Sequence, residues 1–79
     1  MRRWVLYGTG ACHLCEEAEG LLRRQGLVYD KIDIAGDAAL MERYGVRIPV
    51  LADRATGREL GWPFDAVSLQ KFVLAEEGS

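Results

Sequence analysis

Apolar and polar residues follow one another along the chain with two different spacings. The apolar run Trp4–Tyr7 is closed by Gly8, which predicts a short buried strand. After it, apolar residues recur three and four positions apart between Cys12 and Gln25, and Gly26 stands where a helix commonly ends. The sequence therefore predicts a helix here, with inward positions at Leu14, Ala18, Leu21 and Leu22.

The rest of the chain predicts three more strands and two more helices. Asp37 and Asp65 each precede a helical segment and are suited to cap its first turn, and Gly45 follows the first of these segments. The inner face of the short helix after Asp37 is predicted to carry Met41 and Tyr44. The inner face of the last helix is predicted to carry Val67, Phe72 and Val73 with Leu69 or Leu74. The predicted elements are strands over Leu27–Ile34, Ile48–Ala52 and Arg58–Gly61, a turn over Asp53–Gly57, a short helix capped by Gly36-Asp37 that runs through Tyr44, and a last helix over Ala66–Ala75.

The predicted order, β-α-β-α-β-β-α, belongs to the α/β class. A connection of helix length makes the first two strands parallel with a right-handed crossover, and the last two strands form a hairpin. Helices then cover both faces of a four-stranded mixed sheet. A chain of 79 residues is long enough for one core, with a folded surface of roughly 4,800 Å². Residues 1–79 are therefore predicted to form a single domain.

Charge and hydropathy exclude several classes of protein. Ten Lys and Arg residues against twelve Asp and Glu give a net charge of −2, whereas proteins that bind nucleic acid or anionic membranes present a basic face. No apolar run in the sequence approaches the ~20 residues that span a bilayer. The run after Met1-Arg2-Arg3 is also too short for a signal peptide. We expect a cytoplasmic location, no nucleic-acid or membrane partner, and a monomer.

Cys12-His13-Leu14-Cys15 follows a glycine-bearing turn and opens the first predicted helix. The free N–H groups and the positive dipole end of a helix start stabilise a thiolate there. The spacing places the second sulfur within one turn, where it can resolve a mixed disulfide. On a helical wheel Cys12 and His13 point outward and Cys15 lies at the edge of the core. We therefore predict that Cys12 is the attacking thiol and Cys15 the resolving one.

Two other roles for the cysteine pair stay open at this stage. A zinc ion or an iron–sulfur cluster needs about four ligands, and His13 is the only histidine in the sequence. A metal carrier would therefore need two chains that share their cysteines, and we place no metal site in the single chain. Alternatively, the cysteines are inert and the protein is a redox-inactive interaction module.

Three segments carry a resemblance to a known family. They are Leu6-Tyr7-Gly8-Thr9-Gly10-Ala11-Cys12-His13-Leu14-Cys15, Tyr44-Gly45-Val46-Arg47-Ile48-Pro49-Val50-Leu51 and Gly61-Trp62-Pro63-Phe64-Asp65. Together they resemble the thioredoxin and glutaredoxin superfamily, and more narrowly the short glutaredoxin-like proteins of bacteria, over nearly the whole chain. The resemblance implies a minimal thioredoxin fold with strand order 2-1-3-4. It also implies electron transfer by dithiol–disulfide exchange, and a cis Pro49 that packs beside the two cysteines.

The same resemblance implies a substrate groove near the cysteines. It implies a disulfide-bearing protein or a small thiol as substrate, an external thiol or reductase as electron donor, and an extended peptide paired with the backbone of Ile48. No cofactor is required, and glutathione is the one that the family suggests. Trp62 stands where glutaredoxins usually carry a second glycine, so we predict poor activity with glutathione. The residues assigned to the groove are His13, Arg47, Ile48, Gly61, Trp62 and Asp65.

Overall fold

The computed structural model describes residues 1–78 and has the predicted order of elements. Within these residues, no helix is both long and apolar enough to cross a bilayer. The strands are β1 (Trp4–Gly8), β2 (Tyr29–Asp33), β3 (Val50–Asp53) and β4 (Glu59–Gly61), and the helices are α1 (His13–Arg24), α2 (Ala38–Tyr44) and α3 (Ala66–Glu77).

The strands form one sheet in the order β2-β1-β3-β4, which confirms the expected topology. β1 runs parallel to β2, with Trp4 opposite Tyr29, and antiparallel to β3, with Tyr7 opposite Val50. β3 and β4 form the predicted hairpin, with Val50 opposite Gly61. β1 is therefore an interior strand, and its carboxyl end lies beside the start of β3.

Helices cover both faces of the sheet, as predicted. α1 and α3 lie on one face, where they pack with Trp4 and Leu6 in the main hydrophobic core. α2 lies on the other face, where Tyr44 packs with Ile34 and Val50 in a smaller core. The helical residues buried in the main core are Ala18, Leu22 and Leu69.

The ends of the elements differ by a few residues from those predicted. β2 begins at Tyr29 rather than Leu27, because the Leu27 N–H donates to the carbonyl of Leu22 at 3.0 Å and closes the end of α1 instead. β3 begins at Val50 rather than Ile48. The elements that extend beyond their predicted ends are β1 through Gly8, β3 through Asp53 and α3 through Glu77.

Three residues predicted to face inward are exposed instead. Leu14 and Val67 are 43% and 60% exposed, and both lie in the first turn of their helices. Met41 is exposed because α2 is only seven residues long and meets the sheet through a narrow stripe. On α3, Leu69 is buried and Leu74 is exposed. A helical wheel treats every turn as equally covered, whereas the end turns here are less covered than the middle ones.

A buried ionic network lies at the start of β1 and the end of β3. Asp53 is fully buried and accepts hydrogen bonds from Arg3, at 2.9 Å from Nε and 2.8 Å from Nη2. Arg3 also donates to the backbone carbonyl of Glu76 in α3 at 2.8 Å, and the Glu76 carboxylate accepts from Thr56. The Arg3 guanidinium holds the pKa of Asp53 far below its usual range. The network joins β1, the hairpin and α3 at the end of the sheet away from the cysteines.

Candidate active site

The first turn of α1 presents the two cysteines. Cys12 has an extended backbone (φ −99°, ψ 111°) and caps the helix, and its Sγ accepts a hydrogen bond from the N–H of Cys15 at 3.1 Å. The carbonyl of Cys12 accepts from the N–H of Glu16 at 3.2 Å. The two sulfurs form a disulfide, with the Cα atoms 5.1 Å apart. Cys12 therefore stands where the N–H groups of a helix start stabilise negative charge.

The two cysteines differ in exposure. Cys12 is half-buried, whereas Cys15 is 1% exposed and lies in the core rather than at its edge. The wheel misplaced Cys15 because it counted Leu14 as an inward residue. The buried residues of α1 are instead Cys15, Ala18 and Leu22, and at ~100° per residue their centre lies about 50° nearer to Cys15 than the predicted centre. Cys12 is thus the more accessible of the two sulfurs.

The two residues between the cysteines are both exposed. His13 points outward, as the wheel predicts, and Leu14 adds an exposed apolar side chain to the same turn. The exposed surface of this turn therefore combines an imidazole with an apolar group.

Ile48 and Pro49 lie in the loop between α2 and β3. Their peptide bond is cis, and Pro49 is buried. In the pairing of β1 with β3, Tyr7 lies opposite Val50, so the next position places Pro49 opposite Gly8. The N–H of Ile48 donates to the carbonyl of Tyr44 at 3.1 Å. Pairing of this N–H with a bound peptide, as expected from the resemblance, therefore requires that internal hydrogen bond to open.

Arg47 belongs to a charged group on the α2 side of the sheet. Its Nη2 lies 3.1 Å from Oε1 of Glu59, and its guanidinium lies 5.6 Å from the centre of the Tyr44 ring. Arg43 lies 3.9 Å from the same carboxylate and 5.3 Å from the same ring. The Tyr44 hydroxyl donates to Glu59, and its ring stacks on Tyr7 with centroids 4.3 Å apart. We call Arg43, Tyr44, Arg47 and Glu59 the Glu59 cluster.

Burial and hydrogen bonding have opposite effects on the pKa of Glu59. Partial burial alone would raise the pKa of Glu59, but hydrogen bonds from Tyr44 and Arg47 outweigh it and lower that pKa. Burial, together with the hydrogen bond to Glu59, raises the pKa of Tyr44 well above its usual value. Glu59 is therefore ionised at neutral pH, and the exposed Arg47 is paired with it.

Gly61 and Trp62 lie where β4 leads toward α3. Gly61 pairs with Val50, and a Cβ added to Gly61 would meet no atom within 4 Å. Trp62 is half-buried, and its ring packs edge-on against Phe64 with centroids 5.0 Å apart. Trp62 thus packs against the main core.

Asp65 caps α3, as predicted. Its carboxylate accepts from the N–H of Ser68 at 2.8 Å, and the Ser68 hydroxyl accepts from the N–H of Asp65 at 2.9 Å, which together make a capping box. The hydrogen bond from the Ser68 backbone lowers the pKa of Asp65. An ionised carboxylate therefore already occupies the start of α3.

Among residues 1–78, no three His, Cys, Asp or Glu side chains lie close enough together to hold a metal ion.

Comparison with known families decides which class of protein carries this site. A sequence model of the glutaredoxin-like domain (DUF836) matches residues 3–74. The chain belongs to the glutaredoxin-like domain family. A glutaredoxin-like domain with a paired Cys12 and Cys15 supports a thiol redox role for the protein. No curated protein shows significant similarity to the chain.

Two proteins of known structure have the same fold. The crystal structure of protein XcR50 from X. campestris is 42% identical, covers 91% of this chain and 96% of its own, and superposes with a TM-score of 0.86. The solution structure of XcR50 gives 41% identity, coverage of 94% and 95%, and a TM-score of 0.84. Protein Ne2328 from Nitrosomonas europaea is 32% identical, with coverage of 90% and 89% and a TM-score of 0.76.

Two residues near the site of this glutaredoxin-like domain were not predicted from sequence. Gly8 was interpreted only as the residue that closes the first strand, yet it lies against Cys15. Glu59 was interpreted only as part of a short strand, yet its carboxylate pairs with Arg47. Successive side chains of a strand point to opposite faces of the sheet. Because Leu60 packs against the main core, this alternation was the available signal that Glu59 faces the α2 side.

Proposed function

We propose that this glutaredoxin-like protein is a small thiol–disulfide oxidoreductase that works through the Cys12–Cys15 pair. The observation that carries the proposal is the difference in exposure within one turn. A half-buried Cys12 caps the helix, and a buried Cys15 lies three residues later. An accessible sulfur at a helix start is suited to begin exchange, and a shielded neighbour is suited to complete it.

The proposed reaction has two steps. The Cys12 thiolate attacks one sulfur of a substrate disulfide, so that a bond forms between Cys12 and the substrate and the other substrate sulfur leaves as a thiolate. Cys15 then loses its proton and attacks the Sγ of Cys12, which breaks the mixed disulfide and releases the second substrate sulfur. The substrate gains two electrons and two protons, and the Cys12–Cys15 disulfide remains. An external dithiol or a protein reductase supplies two electrons to restore the dithiol.

The backbone at the helix start supports Cys12 as the attacking group. The N–H of Cys15 points at the Sγ of Cys12 at 3.1 Å. A hydrogen bond to an ionised acceptor is stronger than one to a neutral acceptor, so this donor favours the thiolate once the disulfide is reduced.

The proposed substrate is a disulfide-bearing protein or a small disulfide, and the proposed electron donor is a dithiol or a protein reductase. Two charged residues predicted to contact substrate are already paired, Arg47 with Glu59 and Asp65 with Ser68. This pairing supports an electron donor other than glutathione, which is an anionic tripeptide.

Reduction of insulin disulfides, with dithiothreitol as electron donor, tests the proposed function. We expect the wild type to accelerate the reaction and Cys12→Ser to return it to the uncatalysed rate. Cys15→Ser keeps the first attack, so mass spectrometry should find it bound to substrate through a mixed disulfide. Turnover by Cys12→Ser, or faster alkylation of Cys15 than of Cys12 in the reduced wild type, would contradict the assignment.

A further inference from the structure

Gly8, the last residue of β1, lies against the buried sulfur of Cys15. A Cβ atom built on Gly8 would lie 2.8 Å from the Sγ and 3.3 Å from the Cβ of Cys15, and real Cβ atoms essentially never come closer than 3.0 Å to such atoms. Gly8 is buried, and its φ is not positive. The glycine therefore supplies space next to Cys15 rather than backbone freedom.

Cys15 has little freedom to move away from Gly8 in the disulfide form. Its side chain is 1% exposed, and its Sγ is bonded to Cys12. Its backbone N–H also donates a hydrogen bond to the Sγ of Cys12 at 3.1 Å. In the dithiol the sulfur–sulfur bond is absent, so the Cys15 side chain can turn to another rotamer. A methyl group at position 8 is therefore tolerated less well in the disulfide than in the dithiol.

We propose that Gly8 is a positioning residue that sets the redox equilibrium of the Cys12–Cys15 pair by leaving room for the Cys15 sulfur in the disulfide. The inference rests on the proposed function, because it assigns Gly8 a role in the same dithiol–disulfide cycle. Gly8 acts through Cys15 and not through the substrate. Closing the disulfide removes two electrons and two protons from the pair, and the disulfide form of a thiol buffer, such as oxidised dithiothreitol, accepts them and becomes a dithiol.

Equilibration of Gly8→Ala with reduced and oxidised dithiothreitol tests this role. We expect the equilibrium to shift toward the dithiol by about tenfold, which is ~30 mV for a two-electron couple. Gly36→Ala is the matched control, because a Cβ at Gly36 would meet no atom within 4 Å and its φ is not positive. An unshifted equilibrium, a shift toward the disulfide, or an equal shift in Gly36→Ala would overturn the proposal.

Thermal unfolding of both redox forms gives a second measurement. Gly8→Ala should lower the Tm of the oxidised protein more than that of the reduced protein, and equal losses would overturn the proposal. If Gly8→Ala does not fold, the double variant Gly8→Ala/Cys15→Ala decides, because it lacks the Cys15 sulfur. If the double variant folds, the contact between residue 8 and the Cys15 sulfur is supported. If the double variant also fails to fold, the proposal is overturned.

These measurements separate the role of Gly8 from the proposed function, since neither requires turnover. An inactive wild type with a shifted Gly8→Ala equilibrium would refute the oxidoreductase proposal and support the role of Gly8. An active wild type with an unshifted Gly8→Ala equilibrium would refute only the role of Gly8.

Discussion

We expect the carboxylate of Asp65 to weaken the binding of an anionic ligand at the start of α3. It is ionised, and it accepts the Ser68 N–H that a ligand carboxylate would need. Asp65→Asn keeps an acceptor at the cap and removes the charge. We expect this change to raise the rate with glutathione relative to dithiothreitol by about fivefold, which corresponds to ~1 kcal/mol of repulsion removed.

Steady-state reduction of a glutathionylated peptide with each thiol measures this ratio. Asp37→Asn is the control, because Asp37 also caps a helix, α2, through hydrogen bonds from the N–H groups of Ala39 and Leu40. Efficient glutathione turnover by the wild type, with no gain in Asp65→Asn, would show that the cap does not limit glutathione.

At the scale of secondary-structure elements, Glu59 joins β4 to α2. Its carboxylate accepts from the Tyr44 hydroxyl in α2 and pairs with Arg47 just beyond that helix. Glu59→Gln removes the charge that holds the guanidinium and keeps the shape of the side chain. We expect the free energy of unfolding to fall by about 1.5 kcal/mol, the lower end of the range for a hydrogen bond to a charged group, because the Arg47 side chain is exposed.

Urea unfolding at neutral pH measures the effect of Glu59→Gln. Glu42→Gln, at an exposed carboxylate on α2, is the control and should change stability little. Equal stability losses in the two variants would mean that the cluster does not hold α2 to the sheet.

Sequence patterns predict these elements better than they predict the contacts between them. The hairpin and the caps follow from local signals, as Asp65 shows at the start of α3, whereas the strand order followed from the family resemblance. Leu14 and Val67 were wrongly assigned to the core, because periodicity does not show which helix turns the sheet covers. Glu59 and Gly8 were missed because their partners, Arg47 and Cys15, meet them only when separate elements pack together.

At the scale of the whole molecule, Asp53 and Arg3 hold the end of the sheet away from the cysteines. Because the Arg3 guanidinium lowers the pKa of Asp53 in the folded protein, the pair stabilises the fold above the unfolded pKa near ~3.9. This contribution is lost as the pH falls from there through the lower folded value. Asp53→Asn should lower the free energy of unfolding by about 2 kcal/mol at neutral pH. This loss is smaller than that for removing one partner of a fully buried ion pair, because the Arg3 side chain is 37% exposed.

Urea unfolding at pH 7 and at about pH 3 tests this dependence, with the window set by the Asp reference pKa. Wild type should lose more stability on acidification than Asp53→Asn, whereas Glu17→Gln, at an exposed carboxylate on α1, should follow the wild type. Parallel losses in wild type and Asp53→Asn would show that Asp53 does not set the acid sensitivity.

The interior position of β1 also bears on how the chain is synthesised. β1 is the first strand to be made, yet its two neighbours in the sheet come from residues 29–33 and 50–53. Until β3 emerges from the ribosome, one edge of an apolar strand stays open to pairing with other chains. A nascent chain from which β3 has not yet emerged is therefore prone to aggregation, and rapid completion of the chain protects it.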